Sequence, residues 1–427
     1  MYPFPLCQPL FMKRWLQLPL LLLALHPSYT KATQKAAHAV VGALGAYFLQ
    51  KSSYLPSASS DEQLTAFLPK QGRVVTTSED HQSMYLYRCD KTRIEESSFE
   101  ESQDWQQEEI SFPWKHGEAL QRVAIDEEKK HLAALTTEGI WVWDLKHLAE
   151  APRHFPCSEL MEKEKAPGDL LFIPRELYNE EPPSLVAAIG KRIYRFWLTE
   201  EELPPTLLYE NEELEGDIIS VDYHLGALAF ATKERVRVTF LPYHAYLFAH
   251  AETAPYWLSM PDLFGCPFTL NSVTFTPYGN CVAAGSLTTK KGARCSLLIR
   301  WELDSHRLAR YDPPLVILSP DNDSGIDHAS PARQDTAVRF EDGEIGIWQD
   351  RGLWVPTSDL SAAFYEKKHK ALQLLSDGRL ASITVDGEVC IFKRANLWDK
   401  IKYGSSKAGA SIQSWAAAMG KPKEAKQ

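Results

Sequence analysis

The sequence predicts an all-β fold, a seven-bladed β-propeller of four-stranded antiparallel blades. Short alternating or β-branched runs occur throughout residues 62–394, and they recur in one internal order about every fifty residues. Four short strands per unit at this period are typical of propeller blades and exclude the helical pairs of solenoid repeats. A β-sandwich is the alternative, but it does not explain why the units share one internal order.

The unit is clearest in residues 120–144, LQRVAIDEEKKHLAALTTEGIWVWD. LQRVAI alternates, DEEKK is a charged turn, HLAALT is a run of mostly small apolar residues, and TEG is a tight turn before the aromatic IWVWD. Runs of this kind separated by short turns predict an antiparallel meander. We name the strands of each blade a, b, c and d, from the inner to the outer.

The same order is found in seven units. Their a strands are predicted to begin near residues 64, 120, 169, 217, 272, 324 and 371, at spacings of 47 to 56 residues. Asp-Gly pairs at 342–343, 377–378 and 386–387 supply the positive φ that tight hairpin turns require.

These units resemble WD40 repeats. The matching residues end the c strands or form an a–b turn: Trp143-Asp144, Trp301-Glu302, Trp348-Gln349, Phe196-Trp197, Phe392-Lys393, and LSDGRLAS at 375–382. The chain has one true Trp-Asp ending and no Gly-His opening, so the family's Asp-His-Ser/Thr-Trp network is not carried over. The resemblance implies a ring closed by a composite blade, with residues 52–57 as the outer strand of blade seven.

The N-terminus has the pattern of a targeting segment. Met12, Lys13 and Arg14 precede the apolar run WLQLPLLLLAL, and a small-residue exit ends at Ala32. This pattern predicts a secretory signal in residues 1–32, and the alternatives are an uncleaved N-terminal membrane anchor, an organellar presequence or a buried apolar helix. The run is shorter than the ~20 apolar residues of an ordinary transmembrane helix.

The flanking segments complete the predicted domain organisation. Residues 33–61 form an apolar and linker segment that includes the closing strand, and residues 62–394 form the propeller. Residues 395–427 are predicted to be a short helix and a disordered tail rich in Ser, Gly, Ala and Lys. The predicted location is outside the cytoplasm, either periplasmic, secreted or lumenal, and the alternative is a membrane-anchored protein.

The charge distribution argues against nucleic acid as a partner. The formal net charge is −10, and the first 60 residues contain no Asp or Glu. The remainder therefore holds all 56 acids against 41 bases. This acidic part of the chain repels phosphate backbones. Other proteins are therefore the expected partners.

No recognisable catalytic or cofactor motif occurs in the sequence. P-loop, G-x-G-x-x-G, H-E-x-x-H and G-x-S-x-G patterns are absent, and no Cys/His spacing suggests zinc. The pairs Asp222/His224 and Asp327/His328 lie near a-strand ends, where propeller enzymes place metals or acids. They contain no nucleophile–base set, so we predict no catalytic residue, no metal site and no cofactor.

Two kinds of segment interrupt the repeat. Acidic runs occupy residues 90–109 and 200–215, and they are expected to be solvated loops or docking faces for a basic partner. Residues 242–268 are rich in aromatics and must contain the outer strand of blade four. The predicted binding residues lie in this segment: Tyr243, Tyr246, Phe248, Tyr256 and Trp257. The alternative is that the segment folds back and buries these rings on the side of the propeller.

The sequence therefore predicts a non-enzymatic, protein-binding WD40-like scaffold that acts outside the cytoplasm or is tethered to a membrane by its N-terminal apolar segment. Two alternatives remain open. One is an exported propeller enzyme, of the metal-dependent hydrolase, lactonase or quinoprotein type, with a site in the central channel. The other is an intracellular scaffold held on a membrane by residues 15–49. The fold alone does not decide among them.

Overall fold

A computed structural model describes the repeat region and most of its turns. The described residues are 47–55, 63–68, 72–78, 83–88, 105–111, 118, 120–126, 130–157, 168–173, 183–199, 203–211, 216–241, 256–303, 311, 313–319, 324–332, 335–349, 353–355, 368–375 and 378–394.

The chain divides into two compact units. One contains Gln50–Trp354 and Tyr365–Phe392, and it holds the body of all seven sheets. The other contains Met1–Leu49, Val355–Phe364 and Lys393–Gln427, and few of its residues are described. The predicted signal or anchor and the predicted C-terminal helix and tail lie outside the described residues. No helix in the described part of the chain is long and apolar enough to span a bilayer.

The predicted fold class is confirmed, because the strands form seven four-stranded sheets in the expected order. The a strands are β2 Gln63–Leu68, β6 Leu120–Ile125, β10 Gly168–Ile173, β14 Ser220–His224, β18 Phe268–Phe275, β22 Ile326–Ala332 and β26 His369–Leu374. The b strands are β3 Arg73–Thr77, β7 His131–Thr136, β11 Ser184–Ile189, β15 Ala227–Ala231, β19 Cys281–Thr288, β23 Asp335–Phe340 and β27 Leu380–Thr384.

The outer half of each sheet completes the blade. The c strands are β4 Ser83–Arg88, β8 Gly139–Asp144, β12 Arg192–Trp197, β16 Val236–Phe240, β20 Arg294–Trp301, β24 Ile345–Gln349 and β28 Glu388–Arg394. The d strands are β5 Gln106–Ser111, β9 Arg153–Pro156, β13 Thr206–Glu210, β17 Tyr256–Trp257, β21 Leu315–Ser319, β25 Leu353–Val355 and, for blade seven, β1 Tyr47–Tyr54.

The inner strands form a closed ring. Each a strand contacts the a strand of the next blade, and β26 of blade seven contacts β2 of blade one. Blade seven is composite, because β1 pairs beside β28, and the N–H of Leu55 donates to the carbonyl of Gly387 at 3.2 Å. The closing strand begins at Tyr47, five residues before the segment that the sequence analysis assigned to it. The first and last described strands therefore share one sheet.

The blades pack face to face. Six clusters of buried side chains each combine residues from two successive blades. The b strands lie between these clusters, and every residue of β11 and β15 is buried. A strand covered on both faces needs apolar residues at consecutive positions, which explains runs such as SLVAAI and ALAFA. Burial of apolar surface between the sheets is the main stabilising term.

The aromatic residues that match the WD40 pattern occupy equivalent places. Trp143, Phe196, Trp301, Trp348 and Phe392 lie near the ends of c strands, and each is at most 2% exposed. Trp301 also donates from Nε1 to the carbonyl of Ser259 at 2.8 Å. These rings fill the spaces between blades, and they are packing residues.

The turns divide between two faces of the ring, since neighbouring strands are antiparallel. One face carries the b–c turns and the d-to-a connections, and we call it the b–c face. A hydroxyl residue at the end of strand b, or directly after it, commonly accepts a backbone N–H from across this turn, a repeat that the sequence analysis missed. These pairs are Ser78 with Ser83, Thr136 with Gly139, Thr232 with Arg235, and Thr384 with Glu388.

The cysteines of blade five do not face each other. Cys281 lies opposite Trp301 and Cys295 lies opposite Leu287, so the two occupy opposite ends of the β19–β20 hairpin. Both are free and buried. The hairpin turn lies closer to Lys290 than to Thr288, the midpoint of the two cysteines in the sequence, so no disulfide joins them.

We predict that Trp301→Ala lowers the free energy of unfolding by about 3–5 kcal/mol, because it empties a site between two blades. Chemical denaturation followed by circular dichroism measures this change. Tyr278→Ala is the matched control, since Tyr278 is 63% exposed, and we expect it to change stability by less than about 0.5 kcal/mol. Equal effects of the two substitutions would contradict the packing role of Trp301.

Candidate functional site

Polar side chains of the inner strands bind the inner strand of the next blade. Arg122 of β6 forms an ion pair with Asp169 of β10, with 3.4 Å between Nε and Oδ1. The other oxygen of Asp169 accepts the N–H of Val221 in β14 at 2.9 Å. The pKa of Asp169 is raised by burial, against the opposing effect of Arg122. This chain of contacts joins blades two, three and four.

The same arrangement continues into blade five. Asp222 of β14 accepts the N–H of Phe275 at 2.6 Å and the hydroxyl of Thr274 at 2.9 Å, both from β18. Burial raises the pKa of Asp222 to about 6, although the donated hydrogen bonds oppose the shift and the charge of Asp169 adds to it. Asp222 therefore fixes one blade to the next, and the structure does not join it with His224 in a catalytic pair.

Further junctions use neutral side chains. Asn271 of β18 donates from Nδ2 to the carbonyl of Ile326 in β22 at 2.9 Å. The hydroxyl of Ser330 in β22 accepts the N–H of Leu374 in β26 at 2.9 Å. Five successive junctions, from blade two to blade seven, thus contain a side-chain contact between inner strands.

The second predicted pair, Asp327/His328, also lacks a catalytic arrangement. Asp327 forms an ion pair with Arg339 of the neighbouring b strand. His328 retains solvent-exposed surface, but the surrounding inner strands desolvate its ring and lower its pKa to about 4, with Arg339 and Arg122 adding to the shift and Asp327 opposing it. The ring is therefore neutral near pH 7. Within the described residues, no three His, Cys, Asp or Glu side chains are grouped so that they could hold a metal ion.

The acidic runs are partly strands rather than loops. Residues 206–210 of the run 200–215 form β13, and Glu210 pairs with Arg192 of β12 at 2.7 Å. At the end of the run 90–109, Glu108 and Glu109 belong to β5, where Glu108 forms an ion pair with Arg88. The expectation of loops was wrong in these parts, which are solvent-exposed strands whose carboxylates pair with cross-strand cations.

The aromatic segment 242–268 forms the outer edge of blade four. Tyr256 and Trp257 make up the short strand β17, opposite Val238 and Arg237 of β16. The half-buried Trp257 ring lies 3.6 Å from the guanidinium carbon of Arg237. Tyr209 of blade three lies 5.0 Å from the same carbon. Arg237 is thus stacked between rings of two blades, and this desolvation lowers its pKa.

The predicted binding residues are therefore only partly placed. The backbone of Tyr256 and the whole of Trp257 are described, and Trp257 combines a partly exposed face with a structural contact to Arg237. Tyr243, Tyr246 and Phe248 lie outside the described residues. Their role in binding stays a prediction.

The connection that follows β17 contains a feature that the sequence analysis did not select. Phe264 is 81% exposed and has a φ of 58°, in the left-handed region. The carboxylate of Asp262 accepts its N–H at 2.9 Å, and the N–H of Cys266 donates to the carbonyl of Leu263 at 3.0 Å. Gly265 in the Leu-Phe-Gly-Cys sequence signals a turn. The exposure of the Phe264 ring depends on the tertiary structure, so the sequence does not reveal it.

The fold is shared with solved structures of WD40-type propeller proteins. The structure of U3-55K matches over 80% of this chain and 98% of that chain, with a TM-score of 0.52 and 12% identity. A chain in the crystal structure of the mitotic checkpoint complex matches over 82% of this chain and 96% of that chain, with a TM-score of 0.51 and 9% identity. No protein-family model and no curated protein sequence matches this chain. The comparisons show that the chain has a WD40-like propeller fold.

We predict that Asp222 makes folding stability depend on pH between about 4 and 7. Its pKa in the folded state is about 6, above the ordinary value of 3.8. The folded protein therefore binds this proton more tightly, and the resulting stability is full below pH 4 and lost as pH rises through 6. Between pH 4.5 and 7.5, the wild type should lose about 1–3 kcal/mol relative to Asp222→Asn.

Urea denaturation of both proteins at several pH values measures this difference. Asp144→Asn is the control, because the pKa of exposed Asp144 is lowered by the N–H of Lys146 and by His147. Because Asp144 also raises the pKa of His147, this control is made in a His147→Gln background, where the contribution of Asp144 changes only below the chosen pH range. A constant difference between the wild type and Asp222→Asn would show that Asp222 is not held with a raised pKa.

Proposed function

We propose that the protein is a non-enzymatic protein-binding scaffold, a WD40-like propeller whose connections between blades contact other proteins. The observation that carries this proposal is a contrast: the candidate catalytic acids are bound to neighbouring groups, whereas two aromatic rings are mostly or partly exposed. The acids nominated for a catalytic centre, Asp222 and Asp327, bind neighbouring strand groups, whereas Phe264 projects into solvent and Trp257 keeps part of its surface exposed. Exposed aromatic groups on a rigid frame are typical of protein interfaces.

The propeller fold supports the same proposal. Closed rings of blades present many connections on a rigid frame, and one of the similar chains was solved within a multiprotein complex. A scaffold requires only a rigid frame and a surface that binds partner proteins. We therefore propose other proteins as the partners.

We further propose that the scaffold acts outside the cytoplasm or at a membrane. This part of the proposal is supported by the sequence of residues 1–32, in which Lys13 and Arg14 precede an apolar run. Cleavage would release an exported propeller, and retention of the segment would tether it to a membrane.

We expect proximity crosslinking and affinity capture to recover specific protein partners with the wild-type chain. The double substitution Tyr256→Ala/Trp257→Ala should lower their yield about fivefold or more, because truncation of interface aromatics commonly costs about 1–2 kcal/mol or more. Quantitative mass spectrometry of the captured proteins measures the yield.

Tyr278→Ala is the matched control, since it removes an exposed aromatic ring from an a–b turn on the opposite face. A melting curve of the double variant establishes that loss of the Arg237 contact has not unfolded blade four. Recovery of no specific partner by the wild type would refute the scaffold proposal. Unchanged yields with the double variant would refute the role of Tyr256 and Trp257 alone.

We predict that the native protein, purified from its source, begins after the exit at Ala32. N-terminal sequencing by mass spectrometry measures this directly, and separation of membranes from soluble fractions shows whether the chain remains tethered. A chain that begins at Met1 or Met12 and is recovered in the soluble cytoplasmic fraction would contradict both the exported and the membrane-anchored forms of the proposal.

A further inference from the structure

We propose that a surface on the b–c face of blades four and five binds an acidic peptide segment that carries an apolar side chain. The surface consists of Lys233, Arg235, Lys290, Lys291 and Phe264, and we call it the Phe264 patch. This inference rests on the proposed protein-binding function, and it adds a place and a partner chemistry.

Phe264 has a conformation and an exposure that do not help folding. A non-glycine residue in the left-handed region is strained by about 1 kcal/mol or more. Its ring is 81% exposed, so little apolar burial offsets that strain. The bond from its N–H to Asp262 holds the turn in place at 2.9 Å. A strained, exposed aromatic ring on an ordered turn is typical of a contact residue.

Backbone hydrogen bonds hold this turn between two b–c turns. The carbonyl of Lys233, in the b–c turn of blade four, accepts the N–H of Leu270 at 2.7 Å. The carbonyl of Pro267 accepts the N–H of Thr288, at the start of the b–c turn of blade five, at 2.8 Å. The connection bearing Phe264 ends between these two contacts. The connection bearing Phe264 therefore leads into a strand that is held between two b–c turns, and both of these turns carry cations.

The four cations of the patch lie at the surface. Lys233 and Arg235 are exposed in blade four, and Lys290 and Lys291 are exposed in blade five. Within the described part of the chain, none of them forms an ion pair with an acidic side chain. Arg235 lies 5.2 Å from the Trp257 ring, which connects the patch to the aromatic strand β17.

Two acids lie nearby but leave the patch basic. Glu234 is exposed in the same turn as Lys233, and Asp262 is occupied by the N–H of Phe264. In the described residues 232–235, 258–267 and 289–293, four cations stand against two acids, on a chain of net charge −10. This contrast favours an anionic ligand at one place on the surface.

The acidic surroundings of the patch favour a peptide over a larger polyanion. A short acidic segment of a partner protein contacts only the patch, so its carboxylates lie near the four cations and away from the surrounding acidic surface. An extended nucleic acid or an anionic membrane also meets the surrounding acidic body, which repels it. An apolar side chain in the peptide packs against Phe264, while the flanking carboxylates bind the lysines.

The test uses the full chain and a fluorescein-labelled peptide of about twelve residues, composed of Asp and Glu with one central Leu. Fluorescence anisotropy should show saturable binding at about 50 mM NaCl that weakens about tenfold at about 300 mM NaCl, because exposed charges are screened. Lys290→Glu/Lys291→Glu should weaken binding about tenfold or more, since it reverses two of the four charges.

Phe264→Gly separates binding from folding. Glycine adopts a positive φ without strain, so the melting temperature should stay equal or rise. Binding of the probe should nevertheless weaken about fivefold, because the apolar contact is lost. A lowered melting temperature together with unchanged binding would show that Phe264 is structural, and would overturn the proposal.

Lys130→Glu/Lys146→Glu is the charge-matched control, because both lysines are exposed in blade two and lie outside the patch. It should leave binding unchanged. The proposal is overturned by an absence of saturable binding, by an equal effect of Lys130→Glu/Lys146→Glu and Lys290→Glu/Lys291→Glu, or by tighter binding to phosphatidylserine-containing vesicles or to a DNA oligonucleotide of equal charge. If the patch variants capture the same partners as the wild type, the patch fails and the scaffold proposal stands.

Discussion

The structure depends on the contact of each inner strand with the inner strand of the next blade. Sheet packing supplies most of the stabilisation, but it does not direct one strand against a particular neighbour. Side-chain to backbone hydrogen bonds provide that direction: Asp169 holds Val221, and Asp222 holds Phe275. A hydrogen bond to a charged group contributes about 1.5–3 kcal/mol, small beside the buried core, but its geometry is specific. The ring therefore combines a non-directional core with directional junctions.

These junctions engage the acidic side chains of the inner strands. The Asp222 carboxylate accepts two donors from β18, and Asp327 pairs with Arg339. Surface features lie between the blades instead, where the connection after β17 carries Phe264 in the left-handed region. Arg237, stacked between Trp257 and Tyr209, also ties the outer rim of blade four to blade three. The segment that suggested binding thus has both a structural and an exposed part.

Much of the fold was predictable because each blade repeats one local pattern. The b strands show as continuous apolar runs, and the buried c-strand aromatics align in five blades. Residues 200–215 were harder to interpret, because local composition resembles a solvated loop while the alternation in TLLYE forms β13. A cross-strand partner such as Arg192 is invisible in the local sequence. Asp222 was expected near a strand end but lies in the middle of β14, and its backbone partner Phe275 lies 53 residues further along the chain.

The sequence by itself determined the repeat, the number of blades and three Asp-Gly turns, because these follow from hydrophobic periodicity and from residues such as Gly343 and Gly387 that favour positive φ. Only the tertiary structure decided which polar groups are consumed in the ring and which stay exposed. Asp222 and Lys290 are both ionisable, and the local sequence does not show which of the two is enclosed. Ring closure encloses Asp222 between two inner strands, whereas the b–c turn of blade five leaves Lys290 in solvent, beside the connection that bears Phe264.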